Sequence, residues 1–151
     1  MTAHAQRTHR LVYLSRQAPA VCADLDLMVG QIIETAIRRN GEDQLTGLLV
    51  CFQGLFIQAL EGRSDRVMTT YGRILRDSRH IEPRVLSASP AEGRLFGEWT
   101  MCARTLAAAD KAIIDVLDAR GPVDPARLTG ASALRLLTTV ADIQRRATLA
   151  A

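Results

Sequence analysis

The sequence predicts a single α+β domain in which helices pack on a β-sheet. Two adjacent apolar runs, 48–52 and 55–60, flank Gln53-Gly54 and are typical of a β-hairpin. The stretches before and after this hairpin repeat apolar residues every three or four positions, which indicates amphipathic helices. The length of 151 residues, with 48% hydrophobic and 23% charged residues, is that of one ordinary globular domain.

A strand and a helix are expected before the hairpin. Residues 11–15 follow a polar N-terminal stretch and form an apolar strand that ends at Gln17-Ala18-Pro19. Asp24 is the expected N-cap of the helix, and Asn40-Gly41 its end. The apolar face of this helix consists of Leu25, Met28, Val29, Ile32, Ile33 and Ala36.

A second helix and two more strands are expected after the hairpin. Ser64 is the expected N-cap of that helix, which ends within residues 77–80. Residues 84–89 form the fourth strand, stopped by Pro90, and the alternation over 96–102 predicts a fifth. The apolar side of the helix consists of Val67, Met68, Tyr71, Ile74 and Leu75.

The resulting order, β-α-β-β-α-β-β, is that of a ferredoxin-like sheet with both helices on one face. Two further helices, 107–117 and 133–149, are separated by a Gly- and Pro-containing stretch. We expect them to cover the other face, because an uncovered apolar face promotes association. Residues 1–102 would be the core, with 1–9 a flexible tail, and 103–151 a cap within the same domain.

Composition excludes several classes of function. Apolar runs are far shorter than the ~18–20 residues that span a bilayer, and the N-terminus lacks the apolar region of a signal peptide, so we expect a cytoplasmic protein without a membrane partner. Cys22, Cys51 and Cys102 form no CxxC pair, which predicts free thiols and no metal site. The net charge of +3 is spread along the chain, so we expect no nucleic-acid surface.

Gln58 is the one polar side chain inside the second arm of the hairpin. A buried amide without hydrogen-bond partners costs roughly 1–3 kcal/mol, so this residue needs partners. Taken singly, other residues have structural explanations: Tyr13 as a core aromatic, Asn40-Gly41 as a helix end, and Trp99 with Met101 as core filling.

Taken together, five motifs resemble the BLUF family of blue-light sensors that use FAD. They are LVYLS at 11–15, Asn40 followed by LTG, FIQALEG at the end of the hairpin, RDSRH at 76–80 and FGEWTM at 96–101. The resemblance covers about residues 10–102, with the order and spacing of the motifs retained.

The resemblance implies that FAD lies between the first two helices with its ring toward the sheet. Tyr13 would be the photochemical tyrosine and Gln58 the glutamine between that phenol and the flavin. Trp99 and Met101 match the pair on the last strand that can exchange places near the glutamine. The residues matched to cofactor contacts are Tyr13, Ile32, Arg39, Asn40, Gln58, Arg79 and His80.

The chemistry of these side chains suits such roles. A phenol such as Tyr13 can lose an electron together with its proton, which makes it a donor to an excited flavin. The Gln58 amide has both donor and acceptor atoms, so it can exchange one hydrogen-bond pattern for another without a change of charge. Asn40 complements a ring N–H beside a carbonyl, and Arg79 offers a planar fork to an oxygen. The change would leave the site through Trp99 or Met101.

The implied function is a non-enzymatic photoreceptor that acts through a separate partner protein or a change in assembly. The residues after Cys102 are too few for a cyclase or phosphodiesterase domain, and the apolar sheet with an amphipathic last helix favours a homo-oligomer. Two alternatives remain. One is a small acylphosphatase-like hydrolase that binds phosphate through Arg and Asn, and the other is an association module without photochemistry.

Overall fold

The computed structural model describes residues 7–117 and 121–150 and confirms the α+β class. The five strands are β1 Thr8–Gln17, β2 Thr46–Phe52, β3 Leu55–Arg63, β4 His80–Pro90 and β5 Cys102–Thr105. The helices are α1 Pro19–Ala23, α2 Leu25–Asp43, α3 Ser64–Ile74, α4 Lys111–Ile114 and α5 Gly130–Ala150. Within these described ranges, no helix combines the length and apolar character needed to cross a membrane.

The strands form one sheet in the order β4-β1-β3-β2-β5. The first four strands pair antiparallel, as in a ferredoxin-like sheet, and β5 adds to the edge parallel to β2. The hairpin between β2 and β3 closes with Phe52 opposite Leu55. Gln53 and Gly54 both have positive φ, 48° and 74°, the backbone that a tight two-residue hairpin turn requires.

The sheet is covered on both faces, which explains why its central strands are apolar almost throughout. Alternate residues of β1, β2 and β3 pack against α2 and α3 on one face, among them Leu11, Leu49, Phe56 and Leu60. The residues between them pack against α5 on the other face, among them Val12, Val50 and Ile57. From α5, this second core receives Leu136, Leu137 and Val140, which are at most 1% exposed.

The fifth strand differs from its predicted position. Residues 96–101 form turns and bends, and β5 occupies only Cys102–Thr105. The reason is a long-range contact: the backbone N–H groups of Leu95 and Phe96 donate to the Glu61 carboxylate of β3 rather than to a neighbouring strand. The alternating residue types over 96–101, which predicted a strand, therefore belong to a segment of turns and bends. The predicted boundary at 102/103 consequently falls inside β5.

Helix ends also differ from prediction. The α2 helix continues through Gly41 to Asp43 and ends where Gln44 adopts a left-handed φ of 56°. Asp24 does occupy the N-cap position of α2, but its side chain forms no capping hydrogen bond. The N-cap of α3 is Arg63 rather than Ser64, and α3 ends at Ile74, before the predicted end within 77–80.

The fourth strand also differs, since β4 begins at His80 rather than at residue 84 and includes Pro90, which was expected to stop it. Other differences concern the two ends of the chain. Thr8 and His9 belong to β1 and not to a tail, while residues 1–6 lie outside the described part. The predicted helix over 107–117 is a series of short turns, 3₁₀ at 108–110, α4, then 3₁₀ at 115–117. The last helix begins at Gly130, three residues early, where the hydroxyls of Thr129 and Ser132 accept from each other's backbone N–H groups.

Truncation of Leu137 to alanine should lower the free energy of unfolding by about 2–5 kcal/mol, because Leu137 is fully buried between α5 and the sheet. The matched control is Leu149→Ala in the same helix, where the side chain is 87% exposed and the expected change is within about 0.5 kcal/mol. Urea unfolding followed by circular dichroism measures both. Equal effects of the two truncations would contradict the packing of α5 on the sheet.

Candidate functional site

A cavity opens between α2, α3 and the face of the sheet that these helices cover. Its walls combine apolar side chains, including Leu49 and Phe56, with polar side chains from α2, from β3 and from the turn before β4. All seven residues predicted to contact a cofactor line it, namely Tyr13, Ile32, Arg39, Asn40, Gln58, Arg79 and His80. The fold thus brings together residues that are up to 67 positions apart in the chain.

Four further polar residues line the cavity although the sequence did not single them out: Thr35, Thr70, Arg73 and Asp77. Arg73 of α3 donates to the Asp43 carboxylate of α2 at 3.0 Å and to Thr70 Oγ1 at 3.1 Å. This contact joins the two helices that border the cavity. Helical spacing could have found Thr35, because it follows the predicted Ile32 by three positions on the same face of α2.

Tyr13 and Gln58 lie directly opposite each other on neighbouring strands β1 and β3. The Tyr13 hydroxyl donates a hydrogen bond to Gln58 Oε1, and Gln58 Nε2 lies 3.4 Å from Met101 Sδ as a donor. The three side chains are 4%, 5% and 4% exposed. The Gln58 amide thus presents its acceptor to the phenol and its donor to the thioether, and the buried amide expected from the sequence has its partners.

The surroundings of Tyr13 keep its phenol protonated. Burial raises the pKa of Tyr13 far above its ordinary value, and the neighbouring Tyr71, Asp77 and Cys51 add to the rise. The ring centroid of Tyr71 lies 5.3 Å from that of Tyr13, and the ring of His80 lies at 6.2 Å. The raised pKa of Tyr13 therefore keeps its phenol a hydrogen-bond donor at neutral pH.

Asn40 connects the cavity to the segment that precedes β5. Its side chain is 2% exposed, and Nδ2 donates to the backbone oxygen of Thr100 at 2.7 Å. A primary amide has two N–H donors and an acceptor oxygen, so this bond leaves a donor and an acceptor for a ligand. Asn40 and Gln58 consequently contact two successive residues, Thr100 and Met101.

The basic residues of the cavity differ in whether other protein groups already hold their side chains. Arg79 forms a bidentate ion pair with Asp77, and this hydrogen bonding lowers the pKa of the Asp77 carboxyl. His80 Nε2 lies 2.7 Å from the backbone oxygen of Ile74, which fixes its ring near the end of α3. Arg39 is exposed on α2. The three basic residues predicted on the polar side of the cofactor thus all line the cavity, with Arg79 held by Asp77.

Met101 and Trp99 point to opposite faces of the sheet. Met101 belongs to the core beside the cavity, whereas Trp99 is half-buried against the core beneath α5. The guanidinium carbon of Arg145 lies 5.4 Å from the centre of the Trp99 ring, within cation–π range. Of the two residues that the sequence left as alternatives, Met101 faces Gln58, and Trp99 does not line the cavity.

Gly47 of β2 lies directly against the segment that carries Trp99 and Met101. Its backbone N–H donates to the Trp99 carbonyl at 3.1 Å. A Cβ at this position would lie 2.2 Å from the Ala59 oxygen and 3.0 Å from Met101 Cε, so a larger residue does not fit. Glycine at position 47 is thus required chiefly by the close approach of the β3 backbone at Ala59, and it also leaves room for Met101.

The family profile of BLUF, described as sensors of blue-light using FAD, matches residues 8–102. This chain belongs to that family. The BLUF profile covers β1 to the first residue of β5, which includes every residue assigned to the site above. FAD is the cofactor by which this family is defined.

Curated relatives include subunits of light-activated enzymes. The photoactivated adenylate cyclase subunit beta of Euglena gracilis is 40% identical over 96 residues, which are 63% of this BLUF chain and 11% of that protein. The alpha subunit of Euglena gracilis is 36% identical over 87 residues, 58% of this chain and 8% of that protein. The chain therefore spans about a tenth of the length of these relatives.

Solved structures confirm the BLUF fold. A bacterial light-regulated adenylyl cyclase aligns with a TM-score of 0.66 at 31% identity, covering 74% of this chain and 33% of that one. BlsA in its photo-activated state aligns with a TM-score of 0.76 at 21% identity, covering 87% of this chain and 93% of that one. The dark state of the BLUF protein BlrB gives 0.68 at 21% identity, covering 89% and 95%.

The donor set of the cavity fits a flavin. A flavin ring needs apolar contacts on its faces and both donors and acceptors along its imide edge. Leu49, Phe56 and Ile32 supply apolar surface, and the buried amides of Asn40 and Gln58 supply both kinds of polar group. The residues present therefore match the cofactor of the family.

Alkaline titration tests the environment of Tyr13. The pKa of Tyr13 is raised in the folded state, so above pH 10 the unfolded chain binds fewer protons than the folded one. Folding stability should therefore be intact below pH 10 and fall above it, by about 1.4 kcal/mol per pH unit for this group. Urea unfolding at several pH values should give a shallower fall for Tyr13→Phe than for the unmodified chain. Native ionisation of Tyr13 near pH 10, seen by absorbance at 295 nm, would contradict its burial.

Proposed function

We propose that this chain is a blue-light photoreceptor that binds FAD non-covalently in the cavity between α2 and α3. The observation that carries the proposal is the buried series Tyr13–Gln58–Met101, which begins at the cavity wall and ends at the segment before β5. An oxidisable phenol, a neutral amide with two orientations and a movable thioether are the parts that a light-triggered hydrogen-bond switch needs.

The binding roles follow from position and chemistry. Asn40 would hold the polar edge of the ring with the donor and acceptor that its bond to Thr100 leaves available. Ile32 would pack against the ring from α2. Arg79, His80 and the exposed Arg39 would bind the polar remainder of the cofactor, with Asp77 holding Arg79 in place.

FAD supplies absorption of blue light and, once excited, an acceptor for one electron. Tyr13 would donate that electron, and its Oη proton would move along the hydrogen bond to Gln58 Oε1. Loss of the electron removes the preference for the protonated phenol that burial otherwise imposes. Return of the electron and the proton to Tyr13 restores the phenol, so the residue is not consumed.

Reorientation of the Gln58 amide is the step that stores the response. A reversed amide directs Nε2 to Tyr13 and Oε1 to Met101, which replaces the N–H···S contact by two electron-rich atoms facing each other. Met101 must then move. The thioether side chain is flexible and adapts to such a change at low cost.

Movement of Met101 can reach α5 through a short series of contacts. The segment that carries Met101 also carries Trp99, which lies beneath Arg145 of α5. Arg145 Nε donates to Glu98 Oε1 at 2.6 Å, and a second nitrogen of Arg145 donates to the Leu95 carbonyl. We therefore assign α5 as the output surface, which signals to a separate protein or alters self-association.

The hydrolase alternative gains no support from this geometry. Arg79, its candidate for phosphate binding, is already neutralised by a bidentate bond to Asp77. In a photoreceptor the buried amides of Asn40 and Gln58 both have a function, whereas in the hydrolase the Gln58 amide would have none.

Absorption before and after blue light tests the proposal, and Gln58→Leu identifies the switch. The unmodified chain should bind FAD and show a reversible red shift of the flavin bands. Gln58→Leu should keep the flavin and lose the shift, because leucine offers no hydrogen bond in either orientation. Gln31→Leu is the control, an exposed glutamine of α2 outside the cavity, and should shift normally. A chain that cannot be loaded with FAD would exclude the function.

Arg145→Met should separate photochemistry from output. The flavin shift should remain, whereas the light-dependent change in amide hydrogen exchange of α5 should be lost, because Arg145 joins the helix to Glu98 and Trp99. Arg146→Met, at the exposed neighbouring position, should behave like the unmodified chain. Persistence of the light-dependent exchange in Arg145→Met would show that another contact carries the response.

A further inference from the structure

Glu61 is a fully buried carboxylate that the photochemistry described above does not use. It lies on β3 three residues after Gln58 and is 0% exposed. Burial of a carboxylate is costly unless hydrogen bonds and an opposite charge compensate it, so its partners define what it holds.

The partners of Glu61 lie in the segment that follows β4. Oε1 accepts from the Phe96 N–H and Oε2 from the Leu95 N–H, both at 2.8 Å. Arg10 of β1 balances the charge, with Nε 2.8 Å from Oε2. The carboxylate thus binds two successive backbone amides that no neighbouring strand pairs with.

Two arginines reinforce the same attachment. Besides Glu61, Arg10 binds the Gly93 carbonyl at 2.9 Å. Arg94 donates to Thr46 Oγ1 at 3.0 Å and to the Gln44 carbonyl at 2.8 Å. The beginning of the segment Gly93–Met101, which we call the relay segment, is therefore fixed to the ends of β1, β2 and β3.

The other end of the relay segment is fixed by the site itself. Asn40 binds the Thr100 carbonyl, Gln58 contacts Met101, and Gly47 binds the Trp99 carbonyl. Between its two attachments the segment forms turns and bends rather than strand. A displacement at Met101 can only be converted into a defined movement if the opposite end stays in place.

We propose that Glu61 is a positioning residue for the light response, which anchors the relay segment so that Met101 contacts Gln58 while Trp99 lies beneath Arg145. This inference rests on the proposed photoreceptor function. Loss of the anchor leaves the flavin site intact but lets the relay segment rearrange more easily. Glu61 therefore sets how long the lit arrangement persists, and not whether it forms.

Glu61→Gln in the full chain with FAD tests this role. The substitution keeps the shape but replaces one acceptor oxygen by an amino group that faces N–H donors. The flavin red shift should keep its size, and its dark recovery should be about tenfold faster, because charge-assisted bonds at the anchor are lost. Trp99, the one tryptophan of the chain, gives a single indole N–H resonance, which should move in the dark state.

Glu82→Gln is the matched control. Glu82 forms an ion pair with Arg16 at the same distance of 2.8 Å, but its side chain is 69% exposed and lies on β4. Recovery rate and indole resonance should both equal those of the unmodified chain. Equal effects of the two substitutions would show that loss of any carboxylate has this result, which overturns the proposal.

A double variant, Arg10→Gln with Glu61→Gln, covers the case in which the single variant does not fold. It removes both charges and leaves neither buried without its partner. A folded variant with an unchanged indole resonance and an unchanged dark recovery overturns the proposal that Glu61 anchors the relay segment. An unmodified chain without any light-induced shift instead overturns the proposed function, while the indole resonance still reports whether Glu61 holds the segment.

Discussion

The site depends on one cross-strand pairing, that of Tyr13 on β1 with Gln58 on β3. Successive side chains of a strand point to opposite faces, so a shift of one residue would turn either side chain away from the cavity and toward α5. The register is held by the apolar residues beside these two positions, Leu14 opposite Ile57 and Val12 opposite Ala59, which belong to the core under α5. The covered second face thus fixes Tyr13 and Gln58 on the first.

Much of this arrangement could be predicted because regular elements have regular patterns. The period of α2 placed Ile32 on the face of that helix toward the sheet, and the two arms of the hairpin placed Gln58 inside the sheet. The relay segment could not be predicted, since its backbone is held by the Glu61 side chain and by Gly47 rather than by a strand ladder. Contacts between residues about 35 or more positions apart leave no periodicity in the sequence. The bond between Arg73 and Asp43, which are 30 positions apart, was missed because it joins two different helices.

The relay segment combines two properties that a sensor needs. It is attached at both ends, to Glu61 and to the amides of Asn40 and Gln58. Its middle contains no strand hydrogen bonds, and its side chains serve both cores, with Met101 on one face and Trp99 on the other. The segment therefore passes around the edge of the sheet between the cavity and α5, where a small displacement at one core alters packing at the other.

In the proposed mechanism, the neutrality of Gln58 determines how large the response can be. A charge created in this buried position would be costly, whereas the two orientations of an amide differ only in their hydrogen bonds, each worth about 0.5–1.5 kcal/mol net. A difference of that size changes a population by no more than about tenfold, since 1.4 kcal/mol corresponds to a factor of ten. The output must then come from a contact whose two arrangements already have similar free energies. The contact of Arg145 with Trp99 and Glu98 is such a part, because it is half-exposed and each of its bonds is individually weak.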